Sequence, residues 1–104
     1  MAAVSGARLT AVTILVDRAI WPWRDRLWAH LASDESHEEL HRFADALGLR
    51  REWFQGDHYD VPADVRERAL EQGARAVTAA ELVRRLRAAG LRRNARWITA
   101  SDRG

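Results

Sequence analysis

A-V-T-I-L-V, residues 11–16, runs directly into Asp17, and the fold is read from this stretch. A continuous apolar, β-branched run of this length is too short for a helix and fits a strand buried on both faces. Such strands belong to parallel sheets flanked by helices. The rest of the chain continues in that alternation. Ser36 and Glu39 have capping-box spacing, Leu40, Phe43, Ala44 and Leu47 form one helical stripe, and Gly48 supplies the stop. Arg51 to Gln55, R-E-W-F-Q, reads as a second strand. Pro62 opens a second helix that runs to about Gln72, with Gly73 closing it. Ala74 to Val77 reads as a third strand, and Thr78 and Glu81 repeat the capping box before a third helix carrying Ala79, Leu82, Val83 and Leu86 and ending at Gly90. Between the first strand and the first helix lies D-R-A-I-W-P-W-R-D-R-L-W-A-H-L-A-S-D, residues 17–34. Pro22 keeps its first part out of a helix, and Leu27 to Ala32 fits a short fourth strand. The expectation is a small single α/β domain over residues 11–91, with three or four mostly parallel strands alternating with three helices. It would follow a loosely ordered N-terminus (1–10) and precede a basic C-terminal tail (92–104) in which Trp97 is the candidate anchor.

A chain of 104 residues can bury one core. No apolar run approaches the roughly 18 residues of a membrane span. The first ten residues lack a secretory h-region, since Arg8 interrupts them, and the chain is read as cytoplasmic. The absence of cysteine excludes disulfides, thiolate zinc sites and a cysteine nucleophile. The sequence pI of about 10.3 overstates the basicity. Every basic side chain is arginine, so after histidine and the N-terminal amine nothing titrates until Tyr59 near pH ~10. The formal net charge is only +2. Its distribution says more: Asp34, Glu35, Glu38, Glu39 and Asp45 crowd residues 33–45, whereas Arg84, Arg85, Arg87, Arg92, Arg93 and Arg96 crowd residues 84–96. This is either an electrostatic partner surface or two helix faces that attract each other.

In an open parallel sheet, residues just after the strands gather on one rim, where ligands bind. Asp17 follows the first strand, Gly56 to Asp60 the second and Thr78 the third. Asp17 there is a metal ligand or general base, or else a turn residue accepting backbone amides. Asp60 is either a site carboxylate or the N-cap of the helix that starts at Val61-Pro62. In an extended loop His58 shares a side with Asp60, while Asp57 and Tyr59 point the other way. An aspartate that fixes an imidazole tautomer serves catalysis or structure equally well. His37 and His41 lie four apart on a helix, but without H-E-x-x-H they read better as boundary histidines. Ser33 and Asp34 precede a helix N-terminus, where an anion is favoured or a cap is needed. The segment W-P-W-R-D-R-L-W, residues 21–28, can stack on bases and grip phosphates, or form a satellite core of arginines on indoles. Neither a phosphate-binding glycine loop nor a nucleophile elbow is present.

The pieces V-D, W-P-W-R, L-W-A-H-L-A-S-D, E-E-L-H-R-F-A, G-D-H-Y-D-V-P and G-A-R-A-V-T-A-A-E-L-V-R-R-L-R resemble one family of short bacterial and phage proteins, domain of unknown function number four thousand and thirty-one. The resemblance covers about Ala11 to Leu91. It implies a compact domain of unknown activity, with motif positions at Asp17, Trp21, Trp23, Trp28, His30, Ser33, Asp34, His41, His58, Tyr59 and Asp60. Many relatives read Arg-Gly where this chain has Arg24-Asp25, so the local turn is not transferable from the resemblance.

The expected function is metal-assisted hydrolysis of a phosphoester or nucleotide at a polar site on the strand ends. Asp17, Asp60 and His58 are the expected catalytic residues and ligands of a divalent ion (Mg²⁺, Mn²⁺ or Zn²⁺), with His58 as ligand or general base. Trp21, Trp23, Arg24, Trp28, His30, Ser33, Asp34 and Tyr59 are the expected ligand contacts, Arg24 and Trp23 facing an anion. The alternative is a non-catalytic module that binds nucleic acid or a protein partner through the arginine-rich third helix and the tryptophan segment.

Overall fold

The computed structural model describes residues 13–92; the expected loose N-terminus, Trp97 and all but the first residue of the basic tail lie outside them. The described chain folds as β1 (Ile14–Val16), β2 (Trp21–Trp23), β3 (Arg26–Ser33), α1 (His37–Ala46), a 3₁₀ turn (Arg51–Trp53), β4 (Tyr59–Pro62), α2 (Ala63–Glu71), β5 (Arg75–Ala76) and α3 (Ala79–Ala88). Five strands make one mixed sheet around the eight-residue β3. Only β1 and β5 are parallel; β1, β2 and β4 all run antiparallel to β3.

The expected mostly parallel sheet is therefore corrected to a mostly antiparallel one, and the cause is local. Trp21 to Trp28 is a hairpin whose two-residue turn, Arg24-Asp25, takes φ of 53° and 62°. Positive φ at both central residues is the type I′ requirement, the turn whose twist matches that of paired strands. Arginine and aspartate in place of Asn-Gly hide this hairpin from a sequence reading. Pro22 is tolerated because β2 lies on the sheet edge, where its missing N–H leaves no ladder bond unmade.

Trp28 pairs with both Trp21 and Pro62, and Leu31 with both Val16 and Tyr59. A strand has two edges, so β1 and β2 lie in succession along one edge of β3 and β4 along the other. Between Val16↔Leu31 and Trp21↔Trp28, four residues (17–20) face only two (29 and 30). This is a bulge, and it begins at Asp17.

Side chains alternate across the sheet. Ile14, Val16, Ala29, Leu31, Tyr59 and Val61 face α1 and α2 in the main core with Leu40, Ala44 and Ala69. Leu15 and Ala32 face the opposite way, against Leu82 and Leu86 of α3. Each large apolar side chain so buried stabilises the fold by about 1.5–3 kcal/mol. Among the described residues the result is three layers, with α3 over one end of its face. On that same face, beyond α3, the alternation places Trp28 and His30 of β3 beside Trp21, Trp23 and Asp60.

Both expected capping serine/threonine residues cap: Ser36 Oγ accepts from the Glu39 amide and Thr78 Oγ1 from the Glu81 amide, each at 3.0 Å. The first box is not reciprocal. The Glu39 carboxylate instead accepts from the hydroxyls of Thr13 and Ser33, and the Ser36 amide donates to Ser33 Oγ. The expected strand at Arg51 to Gln55 is a 3₁₀ turn, from which only Phe54 reaches β4 in a bridge to Tyr59. Asp60 is not the N-cap of α2; it is a β4 residue paired with His30, and Pro62 takes the cap position without a side-chain bond.

Left-handed conformations strain residues with a Cβ, aspartate less than most. Asp25→Gly is expected to raise stability by up to about 1 kcal/mol, read as a higher urea midpoint with an unchanged slope. A lower midpoint would contradict the type I′ assignment.

Candidate functional site

The sheet face shared with α3 holds two carboxylate–histidine pairs. Asp17 is buried, 1% exposed. Its Oδ1 accepts from the His30 backbone N–H at 2.6 Å and its Oδ2 meets His30 Nδ1 at 2.7 Å. The Asp17 amide still donates to the His30 carbonyl, so the carboxylate has replaced the ladder carbonyl that the bulge turned away. That carbonyl accepts from Arg66 Nε of α2 at 2.6 Å. A carboxylate acceptor fixes the His30 proton on Nδ1 and leaves Nε2 facing outward.

The second pair comes from the loop before β4. Gln55 to His58 forms a tight turn, closed by the Gln55 amide on the His58 carbonyl at 2.8 Å, with Gly56 at φ 99° where a side chain would be strained. The turn buries Asp57 completely. Asp57 Oδ1 lies 2.7 Å from His58 Nδ1, and its other oxygen pairs with Arg92 at 3.3 Å. His58 and Asp60 are two apart and share a face, and His30 is the direct cross-strand partner of Asp60. Asp60 Oδ1 consequently lies 3.3 Å from His58 Nε2 and 3.9 Å from His30 Nε2. The two imidazoles meet edge to face, 5.0 Å between centroids. One donor atom from each of His30, His58 and Asp60 falls within 4.8 Å of the others, a spacing that could hold a metal ion.

Burial opposes a charge on His58, but its bonds to the Asp57 and Asp60 carboxylates outweigh that and lift its pKa to about 9. Burial pushes Asp60 up, yet the His58 bond and charge, with the His30 charge, hold it below the usual carboxylate value. Without metal, the group is thus an Asp57–imidazolium–Asp60 chain at neutral pH.

The other expected site residues have distinct places. Trp21, Trp23 and Trp28 line a hollow of about 270 Å³ together with His30 and Asp60. Trp21 stands edge-on to His30 at 5.7 Å, and Trp28 donates its indole N–H to the Trp23 carbonyl at 2.8 Å. The Arg24 guanidinium stacks over Trp23 at 4.6 Å. Ser33 is buried and tied to Glu39 and the amides of Glu35 and Ser36, which makes it part of the α1 start. Asp34 pairs with Arg85 of α3 at 3.1 Å. Tyr59 lies in the main core on the opposite sheet face, its hydroxyl 2.8 Å from His41 Nδ1. Burial raises the tyrosine pKa; burial, then Arg51 and His37, lower that of His41. His37 points instead to the Leu91 carbonyl. Thr78, expected on the same rim as Asp17, caps α3.

Sequence reasoning set Asp57 aside as pointing away, whereas it is the buried partner of His58. The signal available was only its place beside the histidine. In α3, Arg84 pairs with Glu81, and Arg85 with Glu81 and Asp34, so acids neutralise part of the arginine run. Among the described residues no helix is long and apolar enough to cross a membrane.

A family model described as "Protein of unknown function (DUF4031)" matches residues 14–89. Nothing matches the chain among curated proteins or solved structures.

Because the folded pKa of His58 lies above its ordinary 6.5, its stabilising contribution is full below that pH and is lost as pH rises through about 9. A shift of this size corresponds to roughly 3 kcal/mol, shared between the bonds to Asp57 and Asp60. Urea unfolding in chelator is expected to show stability falling between pH 6.5 and 9, and His58→Gln is expected to flatten that slope. An unchanged slope in the variant would assign the fall to other groups.

Proposed function

The chain belongs to the DUF4031 family, whose function is unknown, and from the geometry of the site we propose that it is a divalent-metal-dependent hydrolase of phosphate esters. One observation carries this reading. Two imidazole Nε2 atoms and one carboxylate oxygen converge, while each Nδ1 is engaged by a buried carboxylate. Carboxylates behind ligating histidines fix the tautomer and raise ligand basicity, as is usual at metal sites.

His30, His58 and Asp60 are the proposed ligands, and Asp17 and Asp57 the residues that orient them. Asp17 is assigned this supporting role because both its oxygens are engaged by His30. Metal–ligand distances near 2.0–2.2 Å need donors roughly 3.0–3.5 Å apart. The 3.3 Å and 3.9 Å spacings from Asp60 approach this, and within a triad spanning up to 4.8 Å the two imidazole nitrogens would have to draw together around the ion. Two nitrogens and one oxygen suit Zn²⁺ or Mn²⁺ better than Mg²⁺, which prefers all-oxygen shells. Three protein ligands leave positions open for water and substrate. An ion held there would supply Lewis-acid activation of water and of a phosphoryl oxygen. A metal ion there would take the place of the His58 Nε2 proton, so His58 is proposed as a ligand and not as the general base. Arg24, which has no ion pair among the described residues and lines the same cleft as Asp60, is the group proposed to stabilise charge developing on phosphate oxygens.

Chelator-treated protein titrated calorimetrically with Zn²⁺, Mn²⁺ and Mg²⁺ is expected to bind one Zn²⁺ or Mn²⁺ at micromolar affinity and Mg²⁺ far more weakly. His30→Ala and His58→Ala should each abolish this binding. Asp17→Asn keeps an acceptor for the His30 amide but donates to Nδ1, turning a protonated Nε2 toward the ion; a 10–100-fold loss of affinity is expected with the fold retained. Metal-restored turnover of bis-p-nitrophenyl phosphate completes the test. Absence of binding by all three ions up to millimolar concentration would end the metal reading.

A further inference from the structure

Asp60 stands between two hollows. One is the small tryptophan-lined hollow that it shares with His30. The other is a cleft of about 920 Å³, within the range of small-molecule sites, whose walls include Trp23, Trp53, Arg24, Leu49 and Pro62. A molecule seated in the cleft would lie directly against the proposed metal ligand.

The cleft displays two large rings that the core does not use: Trp23 is 58% exposed and Trp53 46%. Indoles with one open face are stacking platforms for planar rings. The acids at the cleft are already matched, Glu52 with Arg50 at 2.6 Å and Asp64 with Arg26 at 2.7 Å. Arg50 also lies over the Trp53 ring, at 5.9 Å. Arg68, also on the cleft wall, donates to the Leu47 carbonyl at 2.7 Å, whereas Arg24, without a carboxylate partner among the described residues, sits over Trp23. Planar apolar platforms, one unmatched cation and an adjacent metal centre together select a ligand with an aromatic ring at one end and a phosphate at the other.

We infer that the cleft between Trp23, Trp53 and Asp60 is the base-binding half of the active site, and that the substrate is a nucleotide whose base stacks on the tryptophans while its phosphate reaches Arg24 and the metal. This names the substrate class of the proposed hydrolase and rests on that reading for the phosphate end only. The base end stands on the cleft itself.

The test measures binding of AMP and of ribose 5-phosphate to zinc-loaded full-length protein by tryptophan fluorescence and calorimetry. AMP is expected to bind at least tenfold more tightly than ribose 5-phosphate. Trp53→Ala, an exposed position outside the metal ligands, should remove that advantage while leaving zinc affinity and ribose 5-phosphate binding unchanged, and Trp53→Phe should restore most of it. Equal affinities for the two ligands, or an AMP affinity indifferent to Trp53→Ala, overturn the inference and leave the metal reading standing if zinc is bound. Tryptophan-dependent AMP binding by protein that takes up no zinc supports the cleft and overturns the metal reading.

Discussion

The buried carboxylate of Asp17 is the interaction on which the sheet and the site both depend. At this residue the strand formed by β1 leaves regular pairing, and a backbone N–H of β3 loses its carbonyl partner. An unpaired amide at a buried position costs about 1–3 kcal/mol. The side chain supplies the missing acceptor, and the displaced carbonyl is met by Arg66 of α2. The second carboxylate oxygen then holds His30 Nδ1. A defect in the ladder, an anchor for a helix and the tautomer of a candidate ligand are thus one arrangement. A carboxylate is tolerated there because both of its oxygens are hydrogen-bonded.

Position of the site follows from incomplete coverage. Among the described residues there are three helices for two sheet faces. Two cover one face, and α3 covers one end of the other through Leu82 and Leu86. The remaining surface is fixed from below by the main core and, among the described residues, has no helix above it. Side chains on β3 and β4 are held by a rigid sheet while their tips meet solvent, the combination a preformed site requires. The tryptophans stand beside the polar group because cross-strand partners share a face, as Trp21 and Trp28 do.

Much of the fold was legible in local patterns. Ser36 and Thr78 were recognisable as caps because capping chemistry operates within four residues, and the stripes of α1 and α3 because helical periodicity is local. The hairpin was not legible. Arg24-Asp25 carries no glycine or asparagine to announce its two left-handed residues, and the apolar run before Asp17 suits an antiparallel strand covered on both faces as well as a parallel one. The grouping of Asp17 with His30, and of His58 with Asp60, was within reach of residue types and spacing, though the expected reason was a rim of parallel strand ends. The operative reason is alternation on one face of an antiparallel sheet. Asp57 escaped notice because alternation fails inside the turn at Gly56, which folds that carboxylate back onto its neighbour.

Residue order by itself determined what depends on neighbours within a turn or two: where helices begin and end, which side chains form apolar stripes, and which chemical groups are available. Tertiary structure alone decided the antiparallel pairing of β1 and β4 with β3, the exchange of Glu39 from its helix cap to Thr13 and Ser33, and the grouping of His30, His58 and Asp60 with buried Asp17 behind His30. Those outcomes turn on hydrogen bonds between residues far apart in sequence, such as Asp17 with His30 and Asp17 with Arg66. Which of several equivalent acceptors an amide or imidazole finds is settled only when burial removes water as the alternative partner.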